Sequence, residues 1–458
     1  MIQLTKVRAG GWLSNNHKAT EAWILKLKEK VKSKQRDLIK PIREFKNMVD
    51  DDPVLKLTAE SMFKEAAILR SKTPLGTASI KSFNEFLELL NEIMYQAPEY
   101  TIGCPDTSSE LEPCGLIGFP INALLDWPMA TSFGYDFFAN VLVNQQFKKI
   151  LDHWSKFLVT EESRYVLVEN HIDQIPKVLA WLSEEAKQEM VDVACQASLS
   201  PDCKNKPFEH FFECDPSDEY YGFGSWDQFF TRRFNKDVRP IAKSSDNPMD
   251  DDIIANACES APLQIVHDVS RSAEFWLKGQ PYSLENMMNF DPLSHNFIGG
   301  TVYQAFLSAL SYHRWNSPVT GKIKKAFVVN GTYYLENRHF GFVDTDGADP
   351  SAPNDSQPFL TAVATRAVIF IEADNPKIGL MCFIAVGMAE VSSCEITVRE
   401  GHHVQKGEEL GMFHFGGSTH CLIFRPGVDL EFDLHENKKP GLDAKNIPVC
   451  SKVAKLKN

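Results

Sequence analysis

The spacing of apolar residues changes period partway along this chain, and that change limits the available folds more than any other feature. In the first third, apolar positions recur every three or four residues. Phe83, Phe86, Leu87, Leu90 and Met94 follow a candidate capping box of Ser82 with Glu85, and Phe147, Ile150, Leu151, Trp154 and Leu158 repeat the spacing. This pattern predicts helices with one apolar face. In the second half it gives way to short runs rich in Val, Ile and Phe: AVIFIEA (367–373), GLMCFIAVGM (379–388) and VSSCEITVR (391–399). Those read as strands, and Gly321 to Tyr334 reads as strand sequence around an Asn330-Gly331 hairpin turn. Helices first and strands later predict an α+β fold, a helical N-terminal region followed by a β-rich domain.

Between the helical stretches, Cys114 to Phe138 is apolar but interrupted by Pro120, Asp126 and Pro128, which predicts a buried, kinked connection serving as core or as one wall of a pocket. Ser183 to Ser198 reads as a further helix, and Leu199 to Tyr221 as linker or loop. The acidic run in Ser244 to Asp252 reads as a solvated turn, and Asp344 to Pro358, dense in turn formers, as a mobile surface loop. The glycines at 401, 407 and 411 mark turns between short strands.

Composition removes several function classes. A chain of 458 residues with 43% hydrophobic content buries a large core, and a formal charge of -13 opposes nucleic acid and anionic lipid as main partners. The ten cysteines show no C-x-x-C pair, so they read as mostly buried, reduced thiols in a reducing compartment. The first residues lack an apolar signal segment, and the most apolar run, Ile378 to Ala389, is too short to span a bilayer. The expectation is a soluble cytoplasmic protein without stable membrane association.

One stretch contradicts its own strand character. In FHFGGSTHCLIF (413–424), two glycines precede Ser418 and Thr419, although glycine in a strand interior costs backbone entropy and packs nothing. A serine-hydrolase elbow requires glycine two residues after the serine, where this chain has His420, and the P-loop pattern is absent. A third chemistry uses the glycines directly. Without Cβ crowding, the Gly417 carbonyl is open to attack by the Ser418 hydroxyl, and the resulting ester eliminates to leave a pyruvoyl group at a new N-terminus.

From Tyr221 onward the chain resembles the pyruvoyl-dependent phosphatidylserine decarboxylases. Five segments carry the resemblance, in the family's order: Trp226 to Ile241 (WDQFFTRRFNKDVRPI), Ala257 to Ser260 (ACES), Leu277 to Met288 (LKGQPYSLENMM), Ser311 to Gly321 (SYHRWNSPVTG) and Lys406 to Thr419 (KGEELGMFHFGGST). The helical first third resembles the extension of a soluble fungal-type branch that includes L-tryptophan decarboxylases, through Pro41 to Pro53 and Val143 to Val168. The resemblance implies an extension over 1–175, a catalytic domain over 176–458, and self-cleavage between Gly417 and Ser418. It also implies a covalent pyruvoyl cofactor from Ser418, with the two resulting chains staying together. The implied reaction is decarboxylation of a soluble, aromatic L-amino acid, with phosphatidylserine as the rival substrate.

The resemblance further assigns His313 to decarboxylation and reprotonation of the substrate, and Glu259 to the acid of the self-cleavage relay. Asn316 occupies the place of the relay histidine, and an amide takes no proton from a hydroxyl at neutral pH. Three outcomes stay open: His414 or His420 serves as the base, cleavage proceeds slowly through water, or the chain never matures and acts as a noncatalytic relative. His402, His403, His414 and His420 fit no zinc spacing, so no metal is expected and a solvated or pocket-edge role is.

Overall fold

The computed structural model describes residues 17–100, 118–168, 180–196, 202–244, 251–273, 282–308, 310–342, 347–350, 352–391, 393–415 and 418–457. The helices come first: α1 (His17–Lys34), α2 (Lys40–Asp51), α3 (Pro53–Arg70), α4 (Phe83–Ile93), α5 (Pro120–Met129), α6 (Ser132–Phe138), α7 (Val141–Leu158) and α8 (Glu184–Ala194). Their ends are set by local chemistry. The Ser82 hydroxyl accepts from the Glu85 N–H and the Glu85 carboxylate reaches back to the Lys81 N–H, while the Asn140 side chain accepts from Leu142 and Val143 at the start of α7. The buried stripe of α7 contains Phe147, Ile150, Leu151, Trp154 and Leu158, as its spacing predicts.

The strands follow: β1 (Ile253–Ala255), β2 (Ala261–Val266), β3 (Thr301–Leu307), β4 (Arg314–Asn316), β5 (Gly321–Val329), β6 (Arg366–Ala373), β7 (Leu380–Gly387), β8 (Ser393–Ile396), β9 (His403–Val404), β10 (Glu409–His414), β11 (Ser418–Phe424), β12 (Leu430–Phe432) and β13 (Lys452–Leu456). They build a seven-stranded antiparallel sheet ordered β2-β3-β11-β7-β6-β5-β9 and two three-stranded sheets, β4-β10-β8 and β1-β13-β12. Every residue of β3 and β7 is buried. Cover on both faces explains why these strands read as continuous apolar runs instead of alternating ones.

Helices and sheets share one core. The Phe147 and Phe138 rings pack on Tyr334 at 4.8 and 6.1 Å, the Tyr333 N–H donates to Asn144 Oδ1 at 3.1 Å, and the Trp154 ring meets Phe415 edge-on at 4.9 Å. Deeper still, Glu390 follows β7 and accepts from the Ile121 and Asn122 N–H groups at the start of α5.

Several expectations need correction. The described part of the Cys114–Phe138 segment forms α5 and α6, with Pro128 inside the buried α5 and with Ser132, Phe133 and Asp136 of α6 exposed. The Asn330-Gly331 pair closes no hairpin, because β5 pairs with β6 and β9. Within Leu199 to Tyr221, Cys203–Asn205 and Phe208–Phe211 are helical. Asp251 is buried and ion-paired with Lys406, so the acidic run is not wholly solvated. Ala352–Asp355 is a helix with Ala352, Pro353 and Asn354 buried, where a mobile loop was expected. Cys195 and Cys203 form a disulfide after α8, apart from the six described cysteines that are free, and no C-x-x-C spacing signals that pair. Cys258, Cys382 and Cys421 are free and fully buried, and burial pushes their thiols up.

Candidate active site

Residue 418 opens β11 in the middle of the large sheet, in register with Leu307 of β3 on one side and Gly387 of β7 on the other. Gly416 and Gly417 lie outside the described residues. The backbone entering this segment is strained: Phe415 has φ 45°, in the left-handed region that a bulky side chain avoids. Its ring is gripped by Trp154 of α7, by Trp226 at 4.7 Å and by Phe230 at 6.0 Å, an aromatic clamp that holds the conformation. Such a dihedral costs about 1–3 kcal/mol and persists only where packing over-determines it. The glycine pair therefore follows a residue already forced out of the extended range.

His313 is tied to β10, which leads toward 418, and to the end of β3, which pairs with it. Its carbonyl accepts from the Phe413 N–H at 3.0 Å, and its ring is hydrogen-bonded to the backbone of Ser308, the residue after Leu307. Phe230 stacks on the imidazole at 4.1 Å. Burial first, and the nearby Arg232 second, depress its pKa well below the usual histidine value, so the ring is neutral.

Asn316 is joined to the segment that carries Glu259, since its N–H donates to the Ala257 carbonyl at 2.8 Å. Their side chains do not meet. The Glu259 carboxylate is 1% exposed, forms a two-point ion pair with Arg239 at 2.7 and 3.0 Å, and accepts from the Val449 N–H at 2.8 Å. Asn316 Nδ2 donates to the Gly407 carbonyl at 2.8 Å, and its Oδ1 is buried with no hydrogen-bond partner among the described residues.

The two histidines that bracket 418 differ sharply. His414 Nδ1 lies 3.0 Å from Asp227 and its Nε2 2.7 Å from Glu395. Burial alone would lower its pKa, but the hydrogen bonds and charges of Asp227 and then Glu395 outweigh burial and raise it. Two carboxylates require two N–H donors, so this ring is held as the cation. His420 is fully buried, and burial pulls its pKa down to about 3, leaving the ring neutral. Its Nε2 lies 3.0 Å from the Ser260 hydroxyl, a contact that no sequence pattern announced. The solvated or edge role expected for the histidines fails for His420, whereas His403 is exposed and His402 half-buried. Among the described residues, no group of three His, Cys, Asp or Glu side chains stands close enough to hold a metal ion.

A cavity of about 270 Å³ opens beside this region, between α7 and the sheets, with Leu151, Tyr333, Thr365, Ser393, Glu395 and His414 among its walls. One of its walls is tied to the strand beside 418: the Thr365 carbonyl accepts from the Gly387 N–H at 2.9 Å, and Gly387 is the register partner of Ser418. The sequence named α7 as a helix but gave no sign that it walls a cavity.

A pyruvoyl group at 418 would fit these surroundings. A strained entry residue precedes it, covered strands flank it, and a buried imidazole nitrogen on its own strand, His420 Nδ1, has no hydrogen-bond partner among the described residues. Among those residues no helix is long and apolar enough to cross a membrane.

Comparison with known proteins agrees with the arrangement of these segments. Two sequence models described as phosphatidylserine decarboxylase match residues 39–190 and 226–442. The chain is 42% identical to decarboxylase iboD of Amanita muscaria over 75% of its own length and 94% of that protein. It is 34% identical to an L-tryptophan decarboxylase of Psilocybe cubensis over 91% of this chain and 88% of the relative. Against the phosphatidylserine decarboxylase proenzyme of Chlamydia caviae the identity is 29%, over 49% of this chain and 68% of the other. With a fungal decarboxylase aligned along nearly its whole length, the chain belongs to the phosphatidylserine decarboxylase family.

Proposed function

We propose that this protein is a decarboxylase of a soluble L-amino acid with an aromatic side chain, matured by cleavage of its own Gly417–Ser418 bond, with residue 418 becoming the pyruvoyl group. The observation that supports the reading is the placement of His313, a neutral, buried imidazole whose residue is tied by backbone bonds to β10, leading toward 418, and to the end of β3, which pairs with it. The pyruvoyl group supplies a carbonyl that bonds to the substrate amine and accepts the electron pair left when carbon dioxide departs.

The chain's own residues do the rest. His313, held flat against Phe230, holds the proton that returns to the substrate Cα. Strands β3 and β7 fix the backbone at 418, and their hydrogen bonds to β11 keep the two pieces together after cleavage. Residues 1–175 act as the helical extension and 176–458 as the catalytic part, with α7 of the extension lining the substrate cavity. At about 270 Å³ that cavity suits an amino acid and is small for a diacyl lipid, since pockets for drug-sized ligands run to roughly 300–1,000 Å³. The similarity to tryptophan decarboxylases supports an aromatic substrate. The reading places the enzyme in the cytoplasm, working on a dissolved substrate.

A noncatalytic reading draws on one observation: the side chains of Asn316 and Glu259 are committed to Gly407, Arg239 and Val449, and form no relay between them. Incubating the purified protein with tryptophan, phenylalanine, tyrosine and phosphatidylserine vesicles separates the readings. Carbon dioxide from an aromatic amino acid is expected. Release from the vesicles alone overturns the substrate, and release from none favours the noncatalytic relative.

A further inference from the structure

Self-cleavage requires an acceptor for the Ser418 hydroxyl proton, and the position that resembles the relay histidine holds Asn316. Three imidazoles lie along the strands that converge on 418, and their surroundings separate them. His414 carries a carboxylate on each ring nitrogen, so neither nitrogen offers a lone pair. His313 is fixed by the Ser308 backbone and by Phe230, and belongs to the decarboxylation step.

His420 remains, and its hydrogen bonds define its tautomer. The Ser260 hydroxyl lies 3.0 Å from the Cys258 carbonyl, which only accepts, and 3.0 Å from His420 Nε2. Its other acceptor, Asn256 Oδ1, is at 3.5 Å. With the hydroxyl hydrogen directed at Cys258, whose carbonyl also accepts from Asn256 Nδ2 at 2.6 Å, the hydroxyl oxygen accepts from Nε2–H. Nδ1 is left as the bare nitrogen, buried and without a partner among the described residues. An unused lone pair in a fully covered core is a destabilising choice that an apolar residue would avoid. Positions 418 and 420 are alternate residues of one strand, on one face of the sheet and about 6.7 Å apart.

We propose that His420 is the base of self-cleavage, its Nδ1 taking the Ser418 hydroxyl proton as that oxygen attacks the Gly417 carbonyl carbon, with Ser260 as the positioning residue that fixes the tautomer. This assignment rests on the self-cleavage reading above. The step balances: the Ser418 Oγ–C bond forms, the Gly417–Ser418 C–N bond breaks, and the proton held by His420 passes to the departing nitrogen. An ester and a free amine, isomeric with the peptide, result. Loss of the Ser418 Cα proton then expels the Gly417 carboxylate, and one water enters as one ammonia leaves to give the ketone.

The test follows the full chain, made by pulsed cell-free translation, as it splits on denaturing gels. His420→Gln keeps a polar side chain beside Ser260 but has no basic nitrogen, and cleavage is expected to slow by about 100-fold or more. Adding Asn316→His to that variant is expected to restore splitting through the position the family uses. Should His420→Gln fail to fold, as judged by circular dichroism, Ser260 decides: Ser260→Ala slows cleavage at least tenfold, and Ser260→Thr, which keeps the hydroxyl, recovers it. A His420→Gln chain that splits at the parental rate, or Ser260→Ala and Ser260→Thr chains that split alike, overturns the assignment and leaves the decarboxylase reading standing. A parental chain that never splits removes both.

Discussion

Glu390→Gln exchanges a fully buried carboxyl for a neutral group of nearly the same shape, at the joint between α5 and the strand that faces residue 418. Burial raises this carboxyl from 4.5 to about 8, against the opposing effect of the backbone N–H groups of Asn122 and Ile121. That rise corresponds to about 5 kcal/mol, at roughly 1.36 kcal/mol per pH unit. The sign follows from proton counting. Between the two values the folded chain holds the proton and the unfolded chain has released it, so stability falls as pH rises through this window and the cost is complete above it. The glutamine variant keeps the acceptor for the helix N–H groups and carries no charge. Relative to its parent it should be near neutral at pH 4.5 and more stable by about 2–5 kcal/mol at pH 8.5, with local relaxation absorbing part of the full cost. Urea unfolding at the two pH values, with Ser418→Ala in both chains so that every sample is one polypeptide, measures the difference. A variant no better placed at pH 8.5 than at pH 4.5 refutes the reasoning, because the carboxyl would then ionise in the fold without penalty.

Other consequences are sharper in direction than in size. His414 has a folded pKa raised above its unfolded value of about 6.5, so its ion pairs contribute fully below that pH and fade as pH rises through the folded value; His414→Gln should therefore cost more stability at pH 6 than at pH 9 in chemical denaturation. Gly411→Ala would put a Cβ 2.1 Å from the Glu395 carbonyl and 2.7 Å from the Trp315 ring, so a lowered melting temperature is expected, by a loss of about 1–3 kcal/mol. Phe415→Ala removes the clamped ring, and should both destabilise the fold by roughly 3–5 kcal/mol and slow splitting of the chain on gels. Ser393→Trp fills the cavity beside α7, and is expected to raise KM for the amino-acid substrate while leaving chain splitting at the parental rate.

How far the sequence could be read depended on whether the signal was local. The capped helices were legible because Ser82 and the α7 stripe carry their own instructions within a few residues. The strand runs were legible too, but not their pairing. Asn330-Gly331 has hairpin chemistry, yet β5 finds its partners in β6 and β9, a choice made by tertiary packing. Local readings of Asp251 and of Ala352 to Asp355 failed for the same reason: polar and turn-forming residues were buried by partners distant in sequence, Lys406 among them. At the site, the glycine pair before Ser418 and the order of the motifs pointed to β11. The Arg239 partner of Glu259, the carboxylates on His414 and the Ser260 hydroxyl on His420 were invisible, because each joins residues between 19 and 187 positions apart.

The central claim is a covalent change at residue 418, and the mass of the purified polypeptide under denaturing conditions tests it most directly. The account predicts two chains, the larger ending at Gly417 and the smaller beginning with a carbonyl group that borohydride reduces, adding two hydrogens. A single unbroken chain with serine at 418 would contradict it.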